Sequence, residues 1–472
     1  MNNKYKKLVG NSLIFAIGNF GSKVMTFIMV PIYSYTLTTG DYGKVDLITS
    51  LVQLFLPILC LDIFDSVFRF ALDKAEDKTQ IFSIGLVVSA YSSILIIIAG
   101  VILSMFVKGY PVTMSIIYIL STLFFSLISN FSRAINYVKQ FAIAGIINSV
   151  IMGLSNIVFL AFLKLGMNGY MLSMALGQIV AAVYLLTSVR LFRFIERNKF
   201  SIGKFKEMMA YGIPLIPNNL AWWLNSSSDR FFIIAFLGAG QNGIYAMASK
   251  IPSAISTINT IFFQSWQMSV VEEYNKKDGK KFISSVFSSF LSALFFLGIG
   301  LLAIIRPLYK VILSSSYFIG WKLTPALVLA VIYTSIASFL GTIFTASKRT
   351  ASIMVTTVLG AIANVILTLI LIRIIGSNGA AMANALSFLL VSILRYLEIK
   401  KADKITIDWK KCLTLHVLFG ISWASLFIFK NDIVVFLIGL ALLVLELVLD
   451  RELKSVLKNF SFSIINRIKN RF

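Results

Sequence analysis

The chain has 472 residues, 58% of them hydrophobic and 13% charged, with a mean hydropathy of +0.86. An ordinary soluble domain runs nearer half apolar with about twice the charge, so that class is excluded. The formal charge of +23 invites a nucleic-acid reading, but about three quarters of the 43 Lys and Arg fall in the first terminus and every second connection, as the positive-inside rule requires of a membrane protein.

The apolar runs predict about fourteen spans of about 17–25 residues, each long enough to cross a bilayer. In chain order the first six are Leu8–Tyr33, Val45–Val67, Ile81–Val107, Val112–Asn130, Phe141–Leu163 and Tyr170–Leu191. A basic stretch, Arg193–Tyr211, leads to Ile213–Leu237, Ile244–Met268, Phe282–Ile305, Leu323–Ala346, Ser352–Ile372 and Ala380–Tyr396. A second basic linker, Lys400–Lys411, precedes a last pair, Cys412–Phe429 and Ile433–Leu449, and a basic tail follows Asp450. The tail reads as an amphipathic helix on an anionic membrane surface. An even number of spans with this charge bias places both termini in the cytoplasm. Asn2–Lys7 is basic, but the run after it has span length and no small-residue cleavage site, so it reads as a retained first helix.

The runs come twice. Leu37, Gly40 and Gly43 recur as Leu237, Gly240 and Gly243, and the loop Asp73–Gln80 recurs as Glu273–Lys280. Gly166, Asn168 and Gly169 recur as Gly376, Asn378 and Gly379. Both glycine pairs are expected in tight outer turns, where glycine supplies a positive φ. Six spans separate the copies, so the repeats are parallel, related by an axis along the membrane normal. The expected architecture is an all-α polytopic membrane protein with two pseudo-symmetric six-helix lobes around a central cleft. The lobes are residues 1–192 and 213–397, joined by a cytoplasmic linker, 193–212. An extra helix pair, 398–449, and the tail, 450–472, complete it. Rocking of one lobe against the other gives alternating access. Prolines in or at the ends of spans, such as Pro57 and Pro252, supply kinks or ordinary kinked packing.

Charges inside a span cost roughly 2.5–3.5 kcal/mol on insertion scales, so each calls for a partner or a wet cavity. On span seven Asn218, Trp222, Asn225 and Asp229 share one helix face, with Ser226–Ser228 and Arg230 beside it. They line a cavity, or Asp229 and Arg230 snorkel at the outer interface. Span one carries Asn19, Ser22, Lys23 and Thr26, a cavity group or a structural pair with an acid of span two. Span two carries Asp62, Asp65 and Arg69 on one face, forming a cytoplasmic gate ion pair or a solvated helix end. Span eight carries a stripe of Lys250, Ser253, Thr257, Thr260 and Gln264. On span five Asn148, Met152 and Ser155 suit helix packing as well as a cavity. A basic cleft with amides, hydroxyls and Trp suits an anionic, sugar-bearing substrate. The two cysteines, Cys60 and Cys412, make no disulfide framework, and the single His416 leaves no multi-His metal site. There is no Gly-Lys-Ser/Thr phosphate loop.

The segment Pro31-Ile32-Tyr33-Ser34-Tyr35-Thr36-Leu37 followed by Gly40-Asp41-Tyr42-Gly43 resembles bacterial polysaccharide and oligosaccharide flippases. These are the Wzx-type members of the multidrug/oligosaccharidyl-lipid/polysaccharide (MOP) exporter superfamily. Ser228-Asp229-Arg230-Phe231-Phe232-Ile233-Ile234, with Gly240-Gln241-Asn242-Gly243-Ile244-Tyr245 after it, resembles the second repeat of that family. The resemblance implies a flippase of the bacterial cytoplasmic membrane. It would move undecaprenyl-pyrophosphate-linked oligosaccharide, destined for O-antigen, capsule or another surface glycan, to the outer leaflet, where polymerase machinery takes it up. It further implies no enzyme activity, no bound cofactor, H+ or Na+ as coupling ion, and no nucleic-acid partner. Lys23, Arg230 and Lys250 would contact the pyrophosphate, and Asp62 or Asp229 would carry the coupling proton. One alternative is a multidrug or cation exporter of the related MATE branch, which the basic cleft disfavours. Another is a membrane glycan polymerase or transferase. The longest outer loop, Arg306–Lys322, disfavours that: it is about 17 residues long and lacks an acid.

Overall fold

In the computed structural model the described residues are 25, 27–196, 199–274, 276–347, 349–402, 405–450 and 454. Asn19, Lys23 and most of the first span lie outside them, as does the tail beyond Asp450 apart from Lys454. Among the described residues every regular element is helical. Among them eleven helices are long and apolar enough to cross a membrane. Spans one, seven and eight are not among the eleven: the described apolar helices of spans one and eight are short, Phe27–Thr36 and Ser253–Phe263, and span seven carries a polar stripe.

The chain divides into two compact units, Met1–Ala246 and Met247–Phe472. The first unit begins with α1 (Phe27–Thr36), α2 (Thr39–Leu59), α3 (Ile63–Leu72), α4 (Lys78–Phe106) and α5 (Val112–Ala134). It continues with α6 (Val138–Asn156), α7 (Gly166–Ser188), α8 (Ile202–Gly212), α9 (Ile216–Leu237) and the first turns of α10 (Ala239–Lys250). Polar side chains start these helices. Thr38 accepts from the Asp41 amide ahead of α2, and Asp77 accepts from Thr79 and Gln80 ahead of α4. The core is the packing of α3, α4 and α5, with Phe82 and Phe131 stacked at 4.4 Å. On the far side α4 exposes Ile94, Leu95, Ile98 and Ile102, a continuous apolar face suited to lipid.

Span two is broken where the sequence suggests one helix. Leu61 and Asp62 both take left-handed φ of 52°, a conformation costing roughly 1–2 kcal/mol for a residue with a Cβ. The break is held from outside. Ser92 Oγ donates to the Leu59 carbonyl at 2.9 Å, and Ser66 Oγ to the Met208 carbonyl at 2.8 Å. Gly212 lies so close that a Cβ there would meet the Leu61 carbonyl oxygen at 2.7 Å. Two ion pairs fasten the basic connection to the loop before α4: Lys204–Glu76 at 2.5 Å and Lys199–Asp77 at 3.0 Å.

The second unit holds α11 (Ser253–Glu273), α12 (Gly279–Ile312), α13 (Thr324–Ala346), α14 (Thr350–Ile375), α15 (Ser377–Lys401), α16 (Trp409–Ile428) and α17 (Asp432–Leu449). α13 and α14 pack on α15, and α16 and α17 pack on α12 and on each other. Span eight is interrupted between Lys250 and Ser253 at Pro252, which has no N–H to continue the helix ladder.

Candidate functional site

Two helices of the first unit meet along a polar seam. Trp223 Nε1 on α9 donates to the Ser50 carbonyl of α2 at 2.8 Å. Two turns further along α9, Arg230 Nε lies 2.9 Å from Asp46 Oδ2, one turn back along α2, so the helices run antiparallel. Arg230 Nη1 is 3.0 Å from Asp229 Oδ1 and donates to the Ser226 carbonyl at 3.2 Å. Tyr245 of α10 donates its hydroxyl to the other Asp229 oxygen. The side chains of Asp229, Asp46 and Arg230 are only 3%, 11% and 19% exposed. At such depth a charge needs a counter-charge or a full set of hydrogen-bond partners, and the planar guanidinium can reach two carboxylates at once.

The repeated glycines explain why α10 reaches the seam. Gly43 and Gly243 lie in the first turns of α2 and α10 and face each other. A Cβ on Gly43 would fall 1.9 Å from the Ala239 carbonyl oxygen, and one on Gly243 would fall 1.8 Å from that of Thr39. Asn242 Nδ2 donates to the Gly43 carbonyl at 2.8 Å across the same contact. Neither glycine has a positive φ, so the expected turn role is corrected to one of close backbone approach. The second repeated pair does occupy turns: Gly166 and Gly376 have φ of 56° and 62°.

The other predicted residues are spread more widely. The span-seven stripe lies on α9 as expected, but its burial changes along the helix. Asn225 and Asp229 are buried, whereas Asn218 and Trp222 are exposed, since the helix buries Trp223 against α2 instead. The single face expected for Asp62, Asp65 and Arg69 does not form. Asp62 precedes α3 in the left-handed turn and is buried, with Oδ2 lacking a hydrogen-bond partner among the described residues. Asp65 and Arg69 are exposed on α3. Arg133 interacts electrostatically with Asp65, and its guanidinium stacks 3.9 Å from the centre of the Phe68 ring. Asn148 packs against α7, where its Oδ1 would be 2.7 Å from a Cβ on Gly177. Lys250 ends α10, half-buried, and belongs to the second unit. In α11 the hydroxyls of Thr257 and Thr260 bond to carbonyls one turn back in their own helix.

Sequence reasoning passed over four buried groups. Asp46 and Tyr245 complete the Arg230 seam. Arg395, in α15, donates to the Ala337 carbonyl at 2.6 Å and to the Thr357 and Thr356 hydroxyls at 3.0 and 3.1 Å. Glu446, in α17, is 1% exposed. Arg395 and Glu446 each stand within a predicted span, a signal sufficient to flag both, whereas Asp46 stands at the polar start of its run.

The family described as polysaccharide biosynthesis protein matches residues 8–266, more than half of the chain. No functionally curated protein matches at a significant level. Among solved structures, the lipid II flippase MurJ in an inward closed conformation is similar with a TM-score of 0.68 and 16% identity, over 93% of this chain and 99% of that one. A Vibrio cholerae MATE transporter, VcmN, gives 0.54 at 12% identity over 84% and 96%. An outward-facing multidrug resistance MATE family transporter of the MOP superfamily gives 0.52 at 14% identity over 84% and 95%. Identities this low establish a shared fold, and the family match goes further: this multi-pass membrane protein, built on the MOP transporter fold, belongs to the polysaccharide biosynthesis protein family.

Proposed function

We propose that the protein is a flippase that moves undecaprenyl-pyrophosphate-linked oligosaccharide between leaflets of the bacterial cytoplasmic membrane by alternating access. The observation that supports this most is the fold shared with a lipid II flippase over 93% of the chain, against 84% for the MATE transporters. A substrate with a pyrophosphate needs cations along its path, and Lys23, Arg230 and Lys250 are assigned that role. For Arg230 the seam sets a condition. Its charge is already met by Asp46 and Asp229, so binding a phosphoryl oxygen means exchanging one carboxylate for it. Coupling to H+ or Na+ is assigned to Asp62 ahead of Asp229. Asp229 is engaged by Arg230 and Tyr245, whereas Asp62 holds a buried oxygen without a hydrogen-bond partner among the described residues.

The test is a deletion strain in which lipid-linked oligosaccharide is quantified in each leaflet with an outer-leaflet-specific label. Complete intermediates accumulating on the inner leaflet, reversed by the intact gene, support the flippase. A normal distribution with shortened glycan points instead to a polymerase or transferase. In the complemented strain, Asp62→Asn should abolish the pH dependence of translocation; an unchanged profile removes Asp62 from coupling.

A further inference from the structure

The second unit contains a cavity of about 430 Å³ bounded by α12, α13, α15 and the start of α16. That volume is within the range of small-ligand pockets, roughly 300–1,000 Å³. Its lining is almost wholly apolar, with Leu291, Ile336, Leu340 and Leu389 among the contributors. The polar groups at its floor satisfy one another. His416 Nδ1 donates to the Cys412 carbonyl at 2.7 Å, which leaves Nε2 to accept from the Tyr333 hydroxyl at 3.1 Å. Ser392 Oγ donates to the Phe388 carbonyl at 2.8 Å. A water molecule needs two to four polar partners, and on this floor the donors of His416, Tyr333 and Ser392 are already used, leaving only hydroxyl lone pairs. The natural occupant is an apolar chain.

The route in is lateral. α16 packs on α12 and α17, and between α15 and α16 the contact is slight, with Tyr396 and Trp409 meeting edge-on at 5.4 Å. Ile393, Leu397 and Trp409 line this gap and are each about half exposed or more. One end of the gap is basic. Lys400 lines the cavity, and Lys401 and Lys410 lie at the ends of the two helices beside it. None of the three forms an ion pair among the described residues. Among the described residues the nearby acids are used elsewhere: Glu398 accepts from Ser352, and Asp408 caps the Lys411 amide.

We infer that this pocket is a binding site for an anionic phospholipid of the surrounding bilayer, its acyl chain in the cavity and its phosphate on Lys400, Lys401 and Lys410. The bilayer supplies phospholipid in large excess over any polyprenyl carrier. A cavity of this volume encloses an acyl chain but only part of an undecaprenyl chain.

The experiment uses the full-length protein, purified and delipidated in detergent. Phosphatidylglycerol or phosphatidylcholine is titrated in, and bound lipid is counted by native mass spectrometry. Phosphatidylglycerol should bind more tightly. Each of Lys400→Ala, Lys401→Ala and Lys410→Ala should weaken it roughly fivefold, the effect expected of one basic residue at an anionic surface. Ile393→Trp, at the exposed rim, should block both lipids. Should that variant fail to fold, the three lysine variants, all at exposed positions, still decide. Equal binding of the two lipids, or phosphatidylglycerol binding indifferent to all these changes, overturns the inference. Displacement of phosphatidylglycerol by equimolar undecaprenyl phosphate also overturns it and reassigns the pocket to the carrier chain. None of these readouts depends on translocation, so failure of the flippase proposal would leave them unchanged.

Discussion

Arg230 and Arg395 are both buried in helices of span length, yet they are accommodated in opposite ways. Arg230 is held by carboxylates on two helices, Asp46 on α2 and Asp229 on its own. Among the described residues Arg395 is held by neutral oxygens, the Ala337 carbonyl and two threonine hydroxyls, and Gly341 leaves room for its guanidinium. Both satisfy the requirement that buried N–H groups find acceptors. The first arrangement ties two helices together by charge and leaves a net negative cluster. The second leaves a net positive charge among α13, α14 and α15. A charged residue in an apolar run therefore announces that partners exist, while its electrostatic role is fixed by which oxygens surround it.

The strongest way to break this comparison is to remove Arg230. Arg230→Ala leaves Asp46 and Asp229 buried together without a cation, and breaking a buried pair in this way costs about 3–5 kcal/mol. Thermal unfolding of the purified protein should show that loss. In Asp46→Asn/Arg230→Gln both ends of the pair become neutral amides, and the double variant should lose clearly less than the two single variants summed. Simple additivity would mean the seam is held by packing of Trp223 rather than by charge.

Arg395→Met sharpens the contrast. The change removes the charge and its donors together and strands no acid. The hydroxyls of Thr356 and Thr357 already bond to the Ser352 and Ile353 carbonyls, so they keep partners. The expected loss is about 1–3 kcal/mol, the cost of lost hydrogen bonds and one under-satisfied carbonyl. A loss equal to that of Arg230→Ala would show that neutral acceptors hold a buried arginine as firmly as carboxylates do.

Much of this was legible in the sequence, for physical reasons that also mark where legibility ends. Long apolar runs give membrane-length helices because a bilayer admits little else, and most expected spans appear close to their expected positions. The repeated glycines were visible, but Gly43 and Gly243 serve close approach and Gly166 and Gly376 serve turns, a distinction made only by the neighbouring backbone. The break at Leu61–Asp62 contains no glycine and is imposed by α8 and Ser92 from elsewhere in the chain. Asp229 and Arg230 stood out as charges in a polar stripe. Asp46 did not, since it lies at the start of its run and looks like an interfacial residue until Arg230 is placed beside it.

The smallest expected effect concerns the same chemistry in water. Lys199 and Asp77 pair at 3.0 Å with both side chains nearly half exposed. The hydrogen bond from Lys199 holds the Asp77 carboxyl below its ordinary range, helped by the Gln80 and Thr79 amides. A depressed carboxyl stabilises the fold above its unfolded-state pKa, about 3.9, and loses that contribution as the pH falls through the lower folded value. Asp77→Asn keeps a cap for α4, because Asn caps as well as Asp does. Its unfolding curve should therefore nearly overlay that of the wild type at neutral pH. The steeper acid loss of the wild type should appear only below about pH 4, and the neutral-pH difference should vanish in high salt, which screens exposed pairs. Arg230→Ala should be almost indifferent to salt, since its charges are shielded by protein rather than by ions. Equal salt sensitivity at the two sites would place the Arg230 seam in water and undo the distinction between them.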